Sequence, residues 1–216
     1  SFEKAPNNMS IGAGDAFAEI NFARGALKKG LVLAENYNIN PLAFGQIGST
    51  DTHNGTPGNV SSLLFPGHVG LADDTPAKRL GPGTVTHDAL INNPGGLAAV
   101  WAEENTRDAI FAGMQRREAY ATSGPRITLR FFAGWGFDDR IDAERNPIAV
   151  ATAGGVPMGG VLRPAPGDTA SPTFYVAAQG DWMSALLQRV QIIKGWIDAE
   201  GTTHEQVRDI ACSDGL

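Results

Sequence analysis

Residues 44–58 read FGQIGSTDTHNGTPG, and the placement of this stretch decides how the rest of the chain is understood. Its beginning, AFGQIGS at 43–49, is short and apolar without a helical period, which suits a buried strand of a parallel sheet or barrel. That strand would deliver the chain directly into the polar run STDTHNGTPG. Side chains at i and i+2 of an extended segment point the same way, so the Asp51 carboxylate and the His53 imidazole converge at the strand end. Hard oxygen and borderline nitrogen donors suit Zn, Mn or Fe ions, and catalytic groups collect at the C-terminal ends of strands in α/β barrels. Taken alone, D-x-H also describes an ordinary hydrogen-bonded loop pair.

Upstream, DAFAEINFARGALKKGLVLAENY places Phe17, Ile20, Leu27, Leu31 and Ala34 at helical spacing. The spacing predicts a helix from about Ala16 to Tyr37, with Asp15 as N-cap and Glu19 in the first turn. Downstream, residues 54–96 carry Pro57, Pro66, Pro76, Pro82 and Pro94 among many glycines and hold no sustained period. A connection of that length reads either as an active-site cover or as a floppy insertion. The stretch ENTRDAIFAGMQRREAY predicts a second helix, with Asn105 or Thr106 as N-cap and Ile110, Met114 and Arg117 on one side. Beyond Gly124-Pro125 the pattern shortens to strands: RITLRFFAGW with Ile127, Leu129 and Phe131 on one face, then TFYVAAQ and LQRVQIIKGWI, separated by GGVPMGG and RPAPGD. This predicts an antiparallel, sandwich-like β domain over 126–216, with ACSDGL as a further strand cut short.

Composition narrows the function classes. Of 216 residues 42% are hydrophobic and 19% charged, which excludes a disordered chain, and no apolar run reaches the roughly 18 residues of a membrane span. With Gly 27 and Pro 13 the chain is richer in turn formers than the average of about 12%, so long irregular connections are expected to carry function. A formal charge of -6 without a basic block argues against a nucleic-acid partner. The single Cys212 cannot form an internal disulfide, and it reads as a buried structural thiol. The opening SFEKAPNNMS has no secretory h-region, and Ser1 in place of Met reads as a processed, truncated or excised chain.

Over roughly residues 36–215, FGQIGSTDTHNGTPG followed by WAEENTRDAIFAGMQRREAYATSGPRI, together with GVPMGG, QRVQIIKGW and ACSDG, resembles the C-terminal part of the PHP (polymerase and histidinol phosphatase) superfamily of metallohydrolases. The resemblance is to a bacterial branch catalogued as a domain of unknown function. It implies an α/β fold in which residues 1–125 form the C-terminal part of a distorted (β/α) barrel, with 54–96 as its active-site loop, followed by the β domain. It implies two or three divalent ions, held by an early H-x-H, intermediate acidic and His ligands, and a late D-x-H matched by Asp51 and His53. The early elements are absent, since the histidines are His53, His68, His87 and His204 and no H-x-H occurs. The missing ligands are therefore expected from an N-terminal segment of a parent protein. Such a site would make water nucleophilic and cleave a small-molecule phosphoester or, by the same chemistry, an amide, carbamate or lactone. Metal affinity should fall on acidification, because the ligands must be deprotonated.

His68 in FPGHVG reads either as a substrate contact or proton donor from the long loop or as a solvent-exposed histidine. Arg126 could clamp an anion, though structurally it leads into the β domain. Glu103 and Glu104 are first explained by the dipole of the following helix, and His87 and His204 as surface residues. Trp101, Trp135, Trp182 and Trp196 are too dispersed for a base-stacking platform and read as packing residues. No G-x-S-x-G elbow, phosphate loop or H-E-x-x-H is present. The alternative from a different class is a non-catalytic binding or assembly module whose β domain recognises a partner. A bacterial compartment, periplasmic or cytoplasmic, is left open.

Overall fold

A computed structural model of the chain describes residues 22–50, 52–56, 59–61, 65–80, 95–165, 167 and 171–213. In chain order its elements are α1 (Ala23–Tyr37), α2 (Pro76–Leu80), β1 (Ala98–Val100), α3 (Arg107–Gln115), β2 (Ala119–Ala121), β3 (Thr128–Gly134), α4 (Pro147–Gly154), β4 (Gly155–Pro157), β5 (Thr173–Gln179), β6 (Arg189–Ile197) and β7 (Thr203–Cys212). The fold is mixed α/β with small antiparallel sheets. The pairings are β1-β2, β4-β3-β5 and β6-β7, and no closed barrel is present among the described residues. No helix among them is long and apolar enough to cross a membrane.

The described parts of Ser1–Phe44 and Leu187–Leu216 form one compact unit, and those of Gly45–Leu186 form another. The expected boundary at 125/126 falls inside the second unit. The strands after Arg126 therefore do not share one unit, as a single sandwich would require: β3, β4 and β5 belong to the second, β6 and β7 to the first.

In the first unit α1 packs on the β6-β7 hairpin. Its buried residues are Gly25, Ala26 and Gly30, while Leu27, one of the apolar residues at helical spacing, is exposed. Small residues form the buried face because neighbouring groups come close there. A Cβ on Gly30 would strike the Asn40 side chain, whereas one on Gly195 would meet Lys28 Cγ at an ordinary 3.5 Å. Arg24 and Lys28 both reach Glu205, at 2.9 and 3.8 Å. Asn38, in the left-handed region at φ 55°, ends the helix by donating its N–H to Ala34 O. The predicted start at Ala16, with Asp15 and Glu19, lies outside the described residues.

The second unit is centred on Phe132, 1% exposed, with Ile141 and Ala151 buried and Phe137, Ile148 and Tyr175 packed around them. This reverses the expected face of β3. The inner row is the one carrying Phe132 and Gly134, because α4 delivers Ala151 and Ile148 to that side, whereas Phe131 on the opposite row stacks on the exposed Phe174. Helix α4 starts where Asn146 Oδ1 accepts the Ala149 N–H at 3.2 Å and Pro147 occupies the first turn.

Two further expectations change. Residues 43–49 form no strand and are largely exposed; the Ala43 N–H donates to Asn40 O at 3.4 Å within its own turn, and the Gly48 N–H donates to Leu97 O at 3.1 Å. One such bond cannot propagate a ladder, and close backbone approach at Gly48 and Gly96, which a Cβ would block, takes its place. Helix α3 is capped as predicted, by Thr106 Oγ1 accepting from the Ala109 N–H, but ends at Gln115. Arg117 thus lies off the helix in the left-handed region, φ 61°, against Gly159. Of the expected truncated strand at ACSDGL, Ala211 and Cys212 end β7 and residues 214–216 lie outside the described residues; Cys212 is exposed rather than buried.

Candidate metal centre

The polar segment that follows residues 43–49 is held by its own side chains. Thr50 Oγ1 and Thr52 Oγ1 share a hydrogen bond at 3.1 Å, and Asn54 Oδ1 accepts from both the N–H and the hydroxyl of Thr56, closing a turn that Gly55 completes at φ 74°. Asn54 Nδ2 donates to Gly67 O at 2.7 Å, and the His53 N–H donates to His68 O at 2.7 Å. These two bonds tie the segment to the returning loop. The His53 backbone is fixed while its side chain stays exposed. Asp51 lies outside the described residues, as does His87.

The returning loop is organised around a buried carboxylate. Asp73 Oδ2 accepts the His68 N–H at 2.6 Å and Oδ1 the Val69 N–H at 2.7 Å. Gly67 adopts φ 98°, and a Cβ there would stand 2.6 Å from Asp73 Oδ1, so both its conformation and the space demand glycine. Arg79 on α2 donates to Asp73 O at 2.9 Å and places its guanidinium 5.6 Å from the buried Phe65 ring. Lys78 bonds Leu71 O at 2.8 Å and Asp74 at 2.7 Å. The 54–96 connection therefore contains built structure over 65–80, including a single 3-10 turn at Gly70–Ala72.

Within this frame His68 is 5% exposed, which overturns the solvent-exposed reading. Its Nδ1 lies 3.1 Å from Thr50 O, and its ring centroid is 5.0 Å from that of His53. The structure thus brings together two histidines that are fifteen positions apart in sequence.

Arg126 is elsewhere engaged: its guanidinium donates to Val60 O, and its N–H to Asp181 Oδ2 at 2.9 Å. The latter bond, with a second from the Met183 N–H, holds the Asp181 carboxyl below its ordinary range. Glu103 and Glu104 are exposed ahead of α3, where Glu104 accepts from the Thr106 hydroxyl at 3.2 Å. Of the tryptophans, Trp101 packs under the Arg130 guanidinium, 3.3 Å from its ring centroid, and donates to Leu129 O. Burial there pushes the Arg130 guanidinium below its usual pKa. Trp182, by contrast, is 89% exposed and packs on nothing that would make it core. His204 stacks on Trp196 and is bonded to Asp198 at 2.6 Å.

The donors suit a divalent ion in kind: an exposed imidazole on an immobilised backbone, beside a second imidazole, with an aspartate two positions earlier in sequence. Among the described residues no group of three or more His, Cys, Asp or Glu side chains is gathered as an ion site. Sequence reasoning overlooked Thr50, Asn54 and the Asp73 clamp. Asn54-Gly55 and the glycines at 67 and 70 were the available signals, since each marks a turn that folds the loop back.

The model of a family described as "Protein of unknown function (DUF3604)" matches residues 1–216. No curated protein and no solved structure matches the chain.

Proposed function

We propose, from the premise that this chain belongs to the DUF3604 family, that it is a metal-dependent hydrolase of the PHP type whose first substrate class is a phosphoester. A PHP-type barrel, completed by further ligands, is part of this proposal. The observation that carries it is His53, with its N–H pinned to His68 O at 2.7 Å while its side chain is open to solvent. A donor presented in that way costs little entropy to recruit and is accessible to an ion and a substrate.

Asp51 and His53 would hold the ion, the carboxylate contributing charge and the imidazole a neutral nitrogen. When bound, a divalent ion would lower the pKa of a water, making it the nucleophile, and polarise a phosphoryl oxygen. The residues of this chain orient the site. Thr50 and Thr52 bond to each other, and Asn54 and His53 bond to Gly67 O and His68 O of the returning loop.

The test is elemental analysis for Zn, Mn and Fe, together with hydrolysis of a chromogenic phosphomonoester and phosphodiester. Asp51→Ala and His53→Ala are expected to lose both bound metal and turnover. Unchanged metal content and turnover in both variants would overturn the assignment.

A further inference from the structure

The tautomer of the His68 ring, 5% exposed, follows from the partner of one of its nitrogens. One nitrogen of His68 is accounted for. Nδ1 lies 3.1 Å from Thr50 O, and a carbonyl oxygen can only accept, so Nδ1 carries the proton. In the neutral ring Nε2 is then left with its lone pair. This is the pattern of metal-bound histidines, in which one nitrogen donates to a backbone carbonyl and the other ligates.

The position of the ring is equally constrained. Asp73 holds the His68 and Val69 N–H groups, and His68 O accepts the N–H of His53, so the two histidines are joined backbone to backbone. Their ring centroids are 5.0 Å apart and their planes inclined by 54°, which is not the geometry of stacked rings. With Zn–N bonds of about 2.0–2.1 Å and a tetrahedral angle, two imidazoles sharing one ion have centroids about 5 Å apart. The observed spacing leaves room for a shared ion.

We infer that His68 is an ion ligand through Nε2, sharing one divalent ion of the zinc class with His53. This inference rests on the proposed function, which assigned only Asp51 and His53 to the ion. It moves His68 from proton donation to coordination, since a lone pair committed to an ion cannot take up or return a proton. It also favours Zn over Mg or Ca, because two imidazole nitrogens are poor partners for the harder ions.

The experiment is calorimetric titration of the metal-stripped protein with Zn²⁺, together with proton NMR of the Co²⁺-loaded wild-type protein. The expected results are Zn²⁺ affinity reduced more than about tenfold in His68→Gln, and imidazole protons of both His53 and His68 shifted far outside the diamagnetic range. If Asp51→Ala and His53→Ala lose Zn²⁺ while His68→Gln binds within twofold of wild type and the His68 protons stay unshifted, the inference fails and the proposed function stands. A wild-type protein that binds no Zn²⁺ overturns both. Should His68→Gln not fold, the Co²⁺ spectrum of the wild type decides by itself.

Discussion

At the scale of single residues, Asp73 does the most for the candidate site without belonging to it. Its carboxylate satisfies two adjacent N–H groups, and its backbone oxygen takes the Arg79 guanidinium. Asp73→Ala should cost about 1–3 kcal/mol, the price of leaving buried donors unmatched, measurable as a lowered urea midpoint. Asp73→Asn should recover part of this, since its one amide oxygen can still accept. Asp198 offers a pH signature. His204 first, then the Thr202 and Glu200 N–H groups, hold its pKa below the ordinary 3.8. A depressed folded-state value means the stabilisation is fully present above 3.8 and lost as pH falls through the folded value. Wild type and Asp198→Asn should therefore differ in thermal midpoint at neutral pH and converge once the pH lies below the folded-state value, itself under 3.8.

At the scale of elements, two helices rest on single capping side chains. Thr106 and Asn146 each accept from the N–H three residues on, and replacing either with alanine should lower stability by about 1 kcal/mol in denaturant titration. The sheet β4-β3-β5 depends on Phe132, its one fully buried large side chain. Phe132→Ala should cost about 3–5 kcal/mol, with loss of the cooperative unfolding signal of that unit at moderate temperature. The β6-β7 hairpin is arranged differently. A two-stranded ribbon is marginal by itself, and here the Trp196 ring stacks with His204 and has the Lys194 ammonium 4.9 Å from its centroid, while α1 covers part of the strands.

At the scale of the whole molecule, the charge of -6 predicts no retention on duplex DNA at physiological salt, which a filter-binding or mobility-shift assay checks. The sequence by itself determined the features that depend on neighbours along the chain. The Thr106 cap, the strands over 173–179 and 189–197, and the α-helical run ending at Tyr37 are local matters of hydrogen bonding and chain propensity, and they are present. It also marked His53 and His68 as candidate groups. What only the tertiary structure decided was which surfaces meet. Periodicity assigns two faces to β3 but does not say which one α4 will cover, so Phe132 rather than Phe131 became the core. Apolar composition made 43–49 resemble a strand, yet a strand needs a partner with matching free N–H and C=O groups, and Leu97 offers little more than one. That His68 could reach the site from the long loop was one of two readings of the sequence, and only the folded loop decided between them, through Asp73 and Asn54 bonding to backbone atoms that no linear spacing reveals.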